Sequence, residues 1–133
     1  MIKSRRKTIL LIEDNAAIID ALGFLLEEEG YQVDLPDRGA AIHDLKAPFP
    51  DLILLDLLLS GMDGKTICQQ LKSKAITCHI PIILMSANKN TPRIAREVGA
   101  DDWIMKPFEM WALLALLDAY LSKDSSILAK SMS

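Results

Sequence analysis

The stretch Asp51-Leu52-Ile53-Leu54-Leu55-Asp56 decides the fold of this chain of 133 residues. Its four central side chains are all apolar, without alternation, which is typical of a strand buried on both faces of a parallel sheet. Pro48 and Pro50 precede the run, and turn residues follow it from 60 to 64. We therefore predict a strand over residues 51–55 that ends in Asp56, and a loop over residues 60–64.

Similar apolar runs alternate with helical periodicity along the rest of the chain. Asn15 offers a helix cap, Gly30 a stop, and Thr91 a second cap with Pro92 in the first turn. The further predicted strands are 8–12, 31–35, 80–85 and 102–105, and the predicted helices are 16–29, 39–45, 65–72, 92–98 and 108–121. Five strand–helix units with buried strands indicate an α/β fold, a doubly wound five-stranded parallel sheet covered by helices on both sides. Two strand orders are common for such sheets, and both place ligands beyond the carboxyl ends of the strands.

The charge distribution argues against a nucleic-acid partner. Residues 1–7 contain four of the 15 basic residues and none of the 18 acids. The rest of the chain therefore carries 11 basic residues against 18 acids, a net charge of −7. Such an acidic body lacks the clustered basic face that phosphate backbones require, so we expect no direct contact with nucleic acid.

Composition and cysteine usage indicate one cytoplasmic globular domain. Hydrophobic residues make up 50% of the chain and charged residues 25%, which is ordinary for a globular domain of this length. Cys68 and Cys78 have neither the spacing of a metal site nor that of a disulfide framework, and free thiols suit the reducing cytosol. The apolar runs fall far short of the roughly 20 residues of a membrane span, so we expect no membrane contact.

Chemically active side chains follow four of the predicted strands. Glu13 and Asp14 follow the first strand, Asp56 the third, Ser86 the fourth and Lys106 the fifth. Singly, each is more often a turn former or a solvated charge, but in a parallel sheet all of them meet at one edge. Clustered carboxylates repel one another unless a cation joins them, and oxygen ligands suit Mg²⁺. The strand ends thus predict a Mg²⁺-dependent phosphoryl site with a carboxylate nucleophile.

Several segments resemble the receiver domains of two-component response regulators. They are residues 9–15 (ILLIEDN), 50–57 (PDLILLDL), 61–64 (GMDG), 81–87 (PIILMSA) and 99–108 (GADDWIMKPF). The resemblance extends over about residues 7–121 and is to single-domain, chemotaxis-regulator-like receivers. It implies a flavodoxin-like sheet of strand order 2-1-3-4-5, with a basic N-terminal extension at 1–7, a receiver domain at 8–121 and a flexible C-terminal tail at 122–133.

The resemblance also implies which residues accept the phosphoryl group and bind the metal. Asp56 would be phosphorylated by a sensor histidine kinase or a phosphotransfer protein. Asp14 would bind Mg²⁺ directly, Glu13 largely through water, and the Asp56 carboxylate and the backbone carbonyl of Leu58 would complete the metal site. The chain would then be a signalling receiver, not a conventional enzyme, although its site would promote its own phosphorylation and dephosphorylation.

A switch and an output face are implied in the same way. Ser86 and Lys106 would bind the phosphoryl oxygens, and Trp103 stands at the aromatic switch position of the family. Output would run through the fourth helix, the fifth strand and the last helix, either to a downstream protein or by self-association. The last helix is apolar nearly all round, and its surplus either forms a patch with Trp103 or consists of scattered surface leucines.

Two departures from the family pattern keep a second interpretation open. Ser60 stands where the family usually has proline, and Trp103 replaces the usual tyrosine or phenylalanine. The segment between Ser86 and Lys106 is also shorter than is typical. A phosphorylation-independent, receiver-like binding module is therefore the first alternative.

Enzyme readings fit the sequence less well. An aspartyl-phosphate hydrolase needs a second acid two positions after its nucleophile, and Leu58 stands there. Gly64-Lys65-Thr66 does not complete a nucleotide-binding P-loop, because Leu59 occupies the position of its first glycine.

Overall fold

The computed structural model describes residues 6–36, 45–59 and 62–122. In chain order the elements are β1 (Thr8–Ile12), α1 (Ala16–Glu28), β2 (Gln32–Asp34), β3 (Leu52–Asp56), β4 (Leu58–Leu59), β5 (Met62–Asp63), α2 (Gly64–Ser73), β6 (Ile82–Ser86), α3 (Thr91–Val98), β7 (Asp102–Met105) and α4 (Met110–Leu121). The helix predicted at 39–45 falls almost wholly outside the described residues, as do residues 1–5 and 123–133 of the two predicted extensions.

Within the described residues, the main sheet has five parallel strands in the order β2-β1-β3-β6-β7. This is the doubly wound order 2-1-3-4-5 that the resemblance to receiver domains implies, and it is confirmed. β3 lies at the centre of the sheet, and Asp56 at its end is in register with Met85 of β6. Ser86 at the end of β6 is in register with Met105 of β7. The fold thus brings the ends of β3, β6 and β7 together at one edge.

Two predictions of local structure were wrong. Residues 62–64 are not a loop, because β4 and β5 form a short antiparallel ladder and α2 begins at Gly64. Thr91 is not a helix cap but the first residue of α3, after the cap residue Asn90, which makes no side-chain capping bond. Pro92 has no N–H, so the first turn of α3 has fewer donors for a cap to satisfy.

The two faces of β3 explain why its sequence does not alternate. Ile53 and Leu55 pack on one side with residues of α2 and α3. Leu52 and Leu54 pack on the other side with residues of α1 and α4. All four side chains are fully buried, as the apolar run predicts.

At the edge opposite the strand ends, Lys72 of α2 ties several segments together. Its ammonium donates hydrogen bonds to the carbonyls of Cys78 and Ile80, at 3.1 and 2.8 Å. It also pairs with the carboxylate of Asp101 at 2.6 Å, and the same carboxylate oxygen accepts the Ile82 N–H at 2.8 Å. One partly buried cation therefore joins α2, the start of β6 and the loop before β7.

Replacing Lys72 by methionine should lower the free energy of unfolding by about 2 kcal/mol, because a charged donor and its acceptors lose their hydrogen bonds. The matched control is Arg93→Met, which breaks the exposed Arg93–Glu97 pair at 3.8 Å and should change stability by less than about 0.5 kcal/mol. Urea denaturation of both chains measures the two effects. Equal midpoints for the two variants would contradict this account of Lys72.

Tyr120 links the end of α4 to the start of β7 by hydrogen bonds. Its hydroxyl lies 2.9 Å from the carbonyl oxygen of Asp101 and 3.0 Å from a carboxylate oxygen of Asp102. Burial, the hydrogen bond to Asp102 and the charges of Asp102 and Asp101 raise the pKa of Tyr120 to about 12.

This raised pKa predicts a loss of stability in alkali. In the unfolded chain a tyrosine titrates with a pKa of about 10, so above that pH the unfolded state releases this proton before the folded state does. The free energy of unfolding should therefore fall as the pH rises from about 10 to 12, and it should fall less steeply in Tyr120→Phe. Chemical denaturation across this range measures both slopes, and parallel curves would count against the assignment.

Candidate functional site

The carboxyl edge of the sheet gathers most of the side chains that the sequence singles out. Asp56 ends β3, Ser86 ends β6, and both residues are buried. Lys106 follows β7, and its backbone N–H donates to the carbonyl of Ser86 at 2.8 Å. Glu13 follows β1, which pairs with β3. Adjacent parallel strands therefore deliver two carboxylates, a hydroxyl and an ammonium to one place.

Lys106 is the centre of this cluster. Its ammonium lies 3.0 Å from Oε1 of Glu13 and 3.1 Å from Oδ2 of Asp56. The carboxylate side chains are only 3% and 8% exposed, and the lysine side chain is 23% exposed. Burial lowers the pKa of Lys106, but the hydrogen bonds and charges of Glu13 and Asp56 outweigh it, so the pKa is raised. The cation that joins these two carboxylates in the structure is therefore the Lys106 ammonium. The sequence did not predict its hydrogen bond to Glu13.

The second oxygen of Asp56 is held by the main chain that follows it. Oδ1 accepts the N–H of Leu58 at 3.2 Å. Leu58 thus contacts the site through its backbone, while its side chain points away and is 76% exposed. Both oxygens of Asp56 therefore have a hydrogen-bond donor, which fixes the orientation of the carboxylate.

Gly64 allows α2 to begin directly against the end of β3. Its N–H donates to the carbonyl of Leu57 at 3.2 Å. A Cβ at this position would lie 2.6 Å from the backbone oxygen of Asp56 and 2.8 Å from the Cα of Leu57. The glycine that invites a P-loop interpretation in the sequence therefore has a packing role.

Glu13 and Asn15 organise the loop between β1 and α1. Asn15 caps α1 as predicted, since its side chain accepts the N–H of Ile18 at 3.1 Å. Oε2 of Glu13 accepts the N–H of Asn15 at 3.2 Å, while its other oxygen binds Lys106. Asp14 lies between these two residues and is exposed.

The two predicted switch residues have different environments. Ser86 is buried, and its hydroxyl accepts the N–H of Asn88 at 3.0 Å. Trp103 lies on the edge strand β7, in register with Leu84, and is 36% exposed. In this structure the indole is therefore turned toward the surface.

The most exposed apolar side chain of α4 lies on the side of the helix away from Trp103. Trp111 is 72% exposed, and Tyr120 reaches Asp102, the neighbour of Trp103. Because nine residues make two and a half helical turns, Trp111 and Tyr120 lie on opposite sides of α4. Trp111 therefore faces away from β7 and does not join a patch with Trp103. No helix in the described part of the chain is long and apolar enough to cross a bilayer.

Comparison with known proteins settles the family. A family model described as the response regulator receiver domain matches residues 9–118. The chain belongs to the response-regulator receiver family. It is therefore a receiver domain of the two-component type.

Named relatives and solved structures agree with this assignment. The receiver domain is 38% identical over 122 residues to the phosphate regulon transcriptional regulatory protein PhoB of Escherichia coli, covering 90% of this chain and 53% of that protein. It is similar to the signal receiver domain of a histidine kinase from Syntrophus aciditrophicus, with 34% identity, a TM-score of 0.77 and coverage of 88% and 91%. The chain thus spans about half the length of the curated relatives it matches.

A third relative bears on the metal. The receiver domain of the sensor histidine kinase PA1611 from Pseudomonas aeruginosa, described with a magnesium ion coordinated in its active site cleft, has 25% identity, a TM-score of 0.75 and coverage of 89% and 99%. In the described part of the present chain, no three Asp, Glu, His or Cys side chains converge closely enough for one metal ion. The donor set fits Mg²⁺ nevertheless, because this ion takes oxygen ligands and needs only one or two carboxylates beside water.

Proposed function

We propose that this receiver domain accepts a phosphoryl group on Asp56 from the phosphohistidine of a sensor histidine kinase or a phosphotransfer protein. A carboxylate oxygen of Asp56 would form the new bond to phosphorus, while the bond from phosphorus to the histidine nitrogen breaks and its electron pair stays on the imidazole. The observation that carries the proposal is the Asp56 carboxylate at the end of the central strand, 3.1 Å from the ammonium of Lys106. A preorganised cation there stabilises the charge that arrives with the phosphoryl group.

Lys106 and Ser86 would hold the phosphoryl oxygens after transfer. The phosphoryl group carries about −1.5 to −2 charges at neutral pH and replaces the single negative charge of the Asp56 carboxylate. It would lie beside an ammonium already paired with Glu13 and Asp56. The lysine would exchange its bond to Asp56 for one to the phosphoryl group. The Ser86 hydroxyl accepts a bond from Asn88 and still has its own proton to donate.

Mg²⁺ would be held directly by Asp14, Asp56 and the backbone carbonyl of Leu58, and by Glu13 largely through water. When bound, it would offset the negative charge of the phosphoryl group. The support for this ligand set is its uniform oxygen chemistry and the place of Glu13 and Asp56 at adjacent strand ends.

Output would pass through the face formed by α3, β7 and α4, to a downstream protein or to a second copy of the chain. The exposed position of Trp103 on the edge strand supports this choice, since an indole there is available both to a partner and to a change of rotamer. We place the receiver at residues 8–121 and its action in the cytoplasm, as a signalling domain whose site promotes its own phosphorylation and dephosphorylation.

The proposal is tested by incubating the chain with Mg²⁺ and acetyl phosphate and recording its intact mass. The wild-type chain should gain the mass of one phosphoryl group, and Asp56→Asn, which keeps the size of the side chain, should gain none. Omission of Mg²⁺ should also suppress the gain. Steady turnover of phosphate esters would indicate a hydrolase instead, and the absence of any mass gain would favour a phosphorylation-independent binding module.

A further inference from the structure

A continuous chain of hydrogen bonds leads from the site to the first turn of α3. The N–H of Asn88 donates to the hydroxyl of Ser86 at 3.0 Å. The carbonyl of the same Asn88 accepts two bonds from Thr91, from its N–H at 3.0 Å and from its hydroxyl at 2.6 Å. The Asn88 side chain accepts the N–H of Asn90 at 2.8 Å. Asn88 is thus bonded to the site on one side and to the helix on the other.

The two ends of this connection are buried and its middle is exposed. Ser86 and Thr91 are 1% and 0% exposed, whereas residues 87–90 are all exposed. An exposed loop with little packing of its own takes its conformation from the bonds at its ends. The buried hydroxyl of Thr91 bonds backward to the loop and not forward to its own helix, so it fixes Asn88 relative to α3.

α3, which follows this loop, is packed against the core through its inner face. Ile94, Ala95 and Val98 are buried in the same cluster as Leu84 of β6. The helix ends at Gly99, which has a left-handed φ of 82°. A shift of Asn88 therefore acts on the first turn of a short helix, while the buried residues on the inner face of that helix stay packed against the core.

We propose that Thr91 is a positioning residue that couples the Ser86 hydroxyl to α3. This inference rests on the proposed phosphorylation of Asp56. When Ser86 turns to the phosphoryl group, Asn88 moves with it, and the hydrogen bond from the Thr91 hydroxyl to the Asn88 carbonyl, the shorter of the two, carries that movement into α3. This route runs through the loop between β6 and α3 and does not require rotation of Trp103.

The test compares Thr91→Val with Thr91→Ser. Valine keeps the branched shape and removes only the hydroxyl donor, whereas serine keeps the donor. Intact mass with Mg²⁺ and acetyl phosphate reports phosphorylation, and amide hydrogen exchange of residues 88–98 reports the response of the loop and helix. Phosphorylation should change the exchange rates in the wild-type and serine chains by about fivefold or more, which is the lower end of typical coupling between two sites.

The valine chain should gain the same phosphoryl mass but change its exchange rates by less than about twofold, because only the longer backbone N–H bond to the Asn88 carbonyl remains. If the valine chain does not fold, Thr91→Ala provides the same loss of donor with a good helix former. An equal exchange response in the valine and serine chains, with normal mass gain, would overturn the role of Thr91 but not the proposed phosphorylation of Asp56. The absence of mass gain in the wild-type chain would overturn the proposed function and this inference together.

Discussion

Replacing Lys106 by methionine should lower the free energy of unfolding, without Mg²⁺, by about 3 kcal/mol, the lower end of the range for a buried ion pair that loses one partner. The variant leaves the side chains of Glu13 and Asp56, 3% and 8% exposed, without the cation that both contact. The lower end applies because the lysine itself keeps some contact with solvent. Urea denaturation in the presence of a chelator measures the loss.

Three comparisons separate this electrostatic effect from a general cost of mutation. Lys65→Met makes the same change on an exposed residue of α2 and should alter stability by less than about 0.5 kcal/mol. Adding Glu13→Gln to the Lys106 variant should recover part of the loss, because one unpaired carboxylate then remains instead of two. Mg²⁺ should also raise the melting temperature of the Lys106 variant more than that of the wild-type chain. Equal stability of the Lys106 and Lys65 variants would contradict the account of the cluster.

Replacing Gly64 by alanine should destabilise the chain by about 2–3 kcal/mol, the cost of forcing an extra methyl group into a well-packed region. The new Cβ would lie 2.6 Å from the backbone oxygen of Asp56 and 2.9 Å from that of Leu57. Backbone atoms of a central strand cannot turn aside as a side-chain tip can, so the start of α2 or the turn after Asp56 must move. The turn includes the Leu58 N–H that orients Asp56, so phosphorylation should slow as well.

Gly23→Ala is the matched control for this prediction. Gly23 lies within α1, and a Cβ there would meet nothing within 4 Å. Alanine should therefore stabilise the chain by about 0.5–1 kcal/mol through its higher helix propensity. The same substitution thus has opposite expected signs in the two helices, and thermal denaturation of both variants measures them. A Gly64→Ala chain as stable as the wild-type chain would contradict the prediction, because it would show that the end of β3 can shift at little cost.

The sequence alone was sufficient to predict the sheet and the composition of its carboxyl edge. The unbroken apolar run at 52–55 predicts a central strand buried on both faces, because a strand with one solvent-exposed face would show an alternating pattern. Parallel strands then place Asp56, Ser86 and Lys106 at one edge of the sheet, independently of the conformation of the loops. These conclusions follow from the periodicity of the sequence and the parallel strands that it implies, whereas the strand order 2-1-3-4-5 was implied only by the resemblance to receiver domains.

Contacts across the sheet could not be derived in this way. The bond from Lys106 to Glu13 joins residues 93 positions apart and depends on the side-chain geometry of two loops. The close approach of Gly64 to the backbone of Asp56 depends on the exact start of α2, and an isolated glycine carries no signal for it. The spacing of Trp111 and Tyr120 did hold usable information, since nine residues along a helix exclude a shared side.

The central claim is that Asp56 itself carries the phosphoryl group, and chemical mapping of that group tests it most directly. Treatment of the phosphorylated chain with borohydride reduces an acyl phosphate to an alcohol and leaves free carboxylates unchanged. Peptide mass mapping then locates the reduced residue. We predict reduction at position 56 alone, and none in a chain that was not phosphorylated. Reduction at Glu13, Asp14 or any other acid, with position 56 unchanged, would contradict the proposed function.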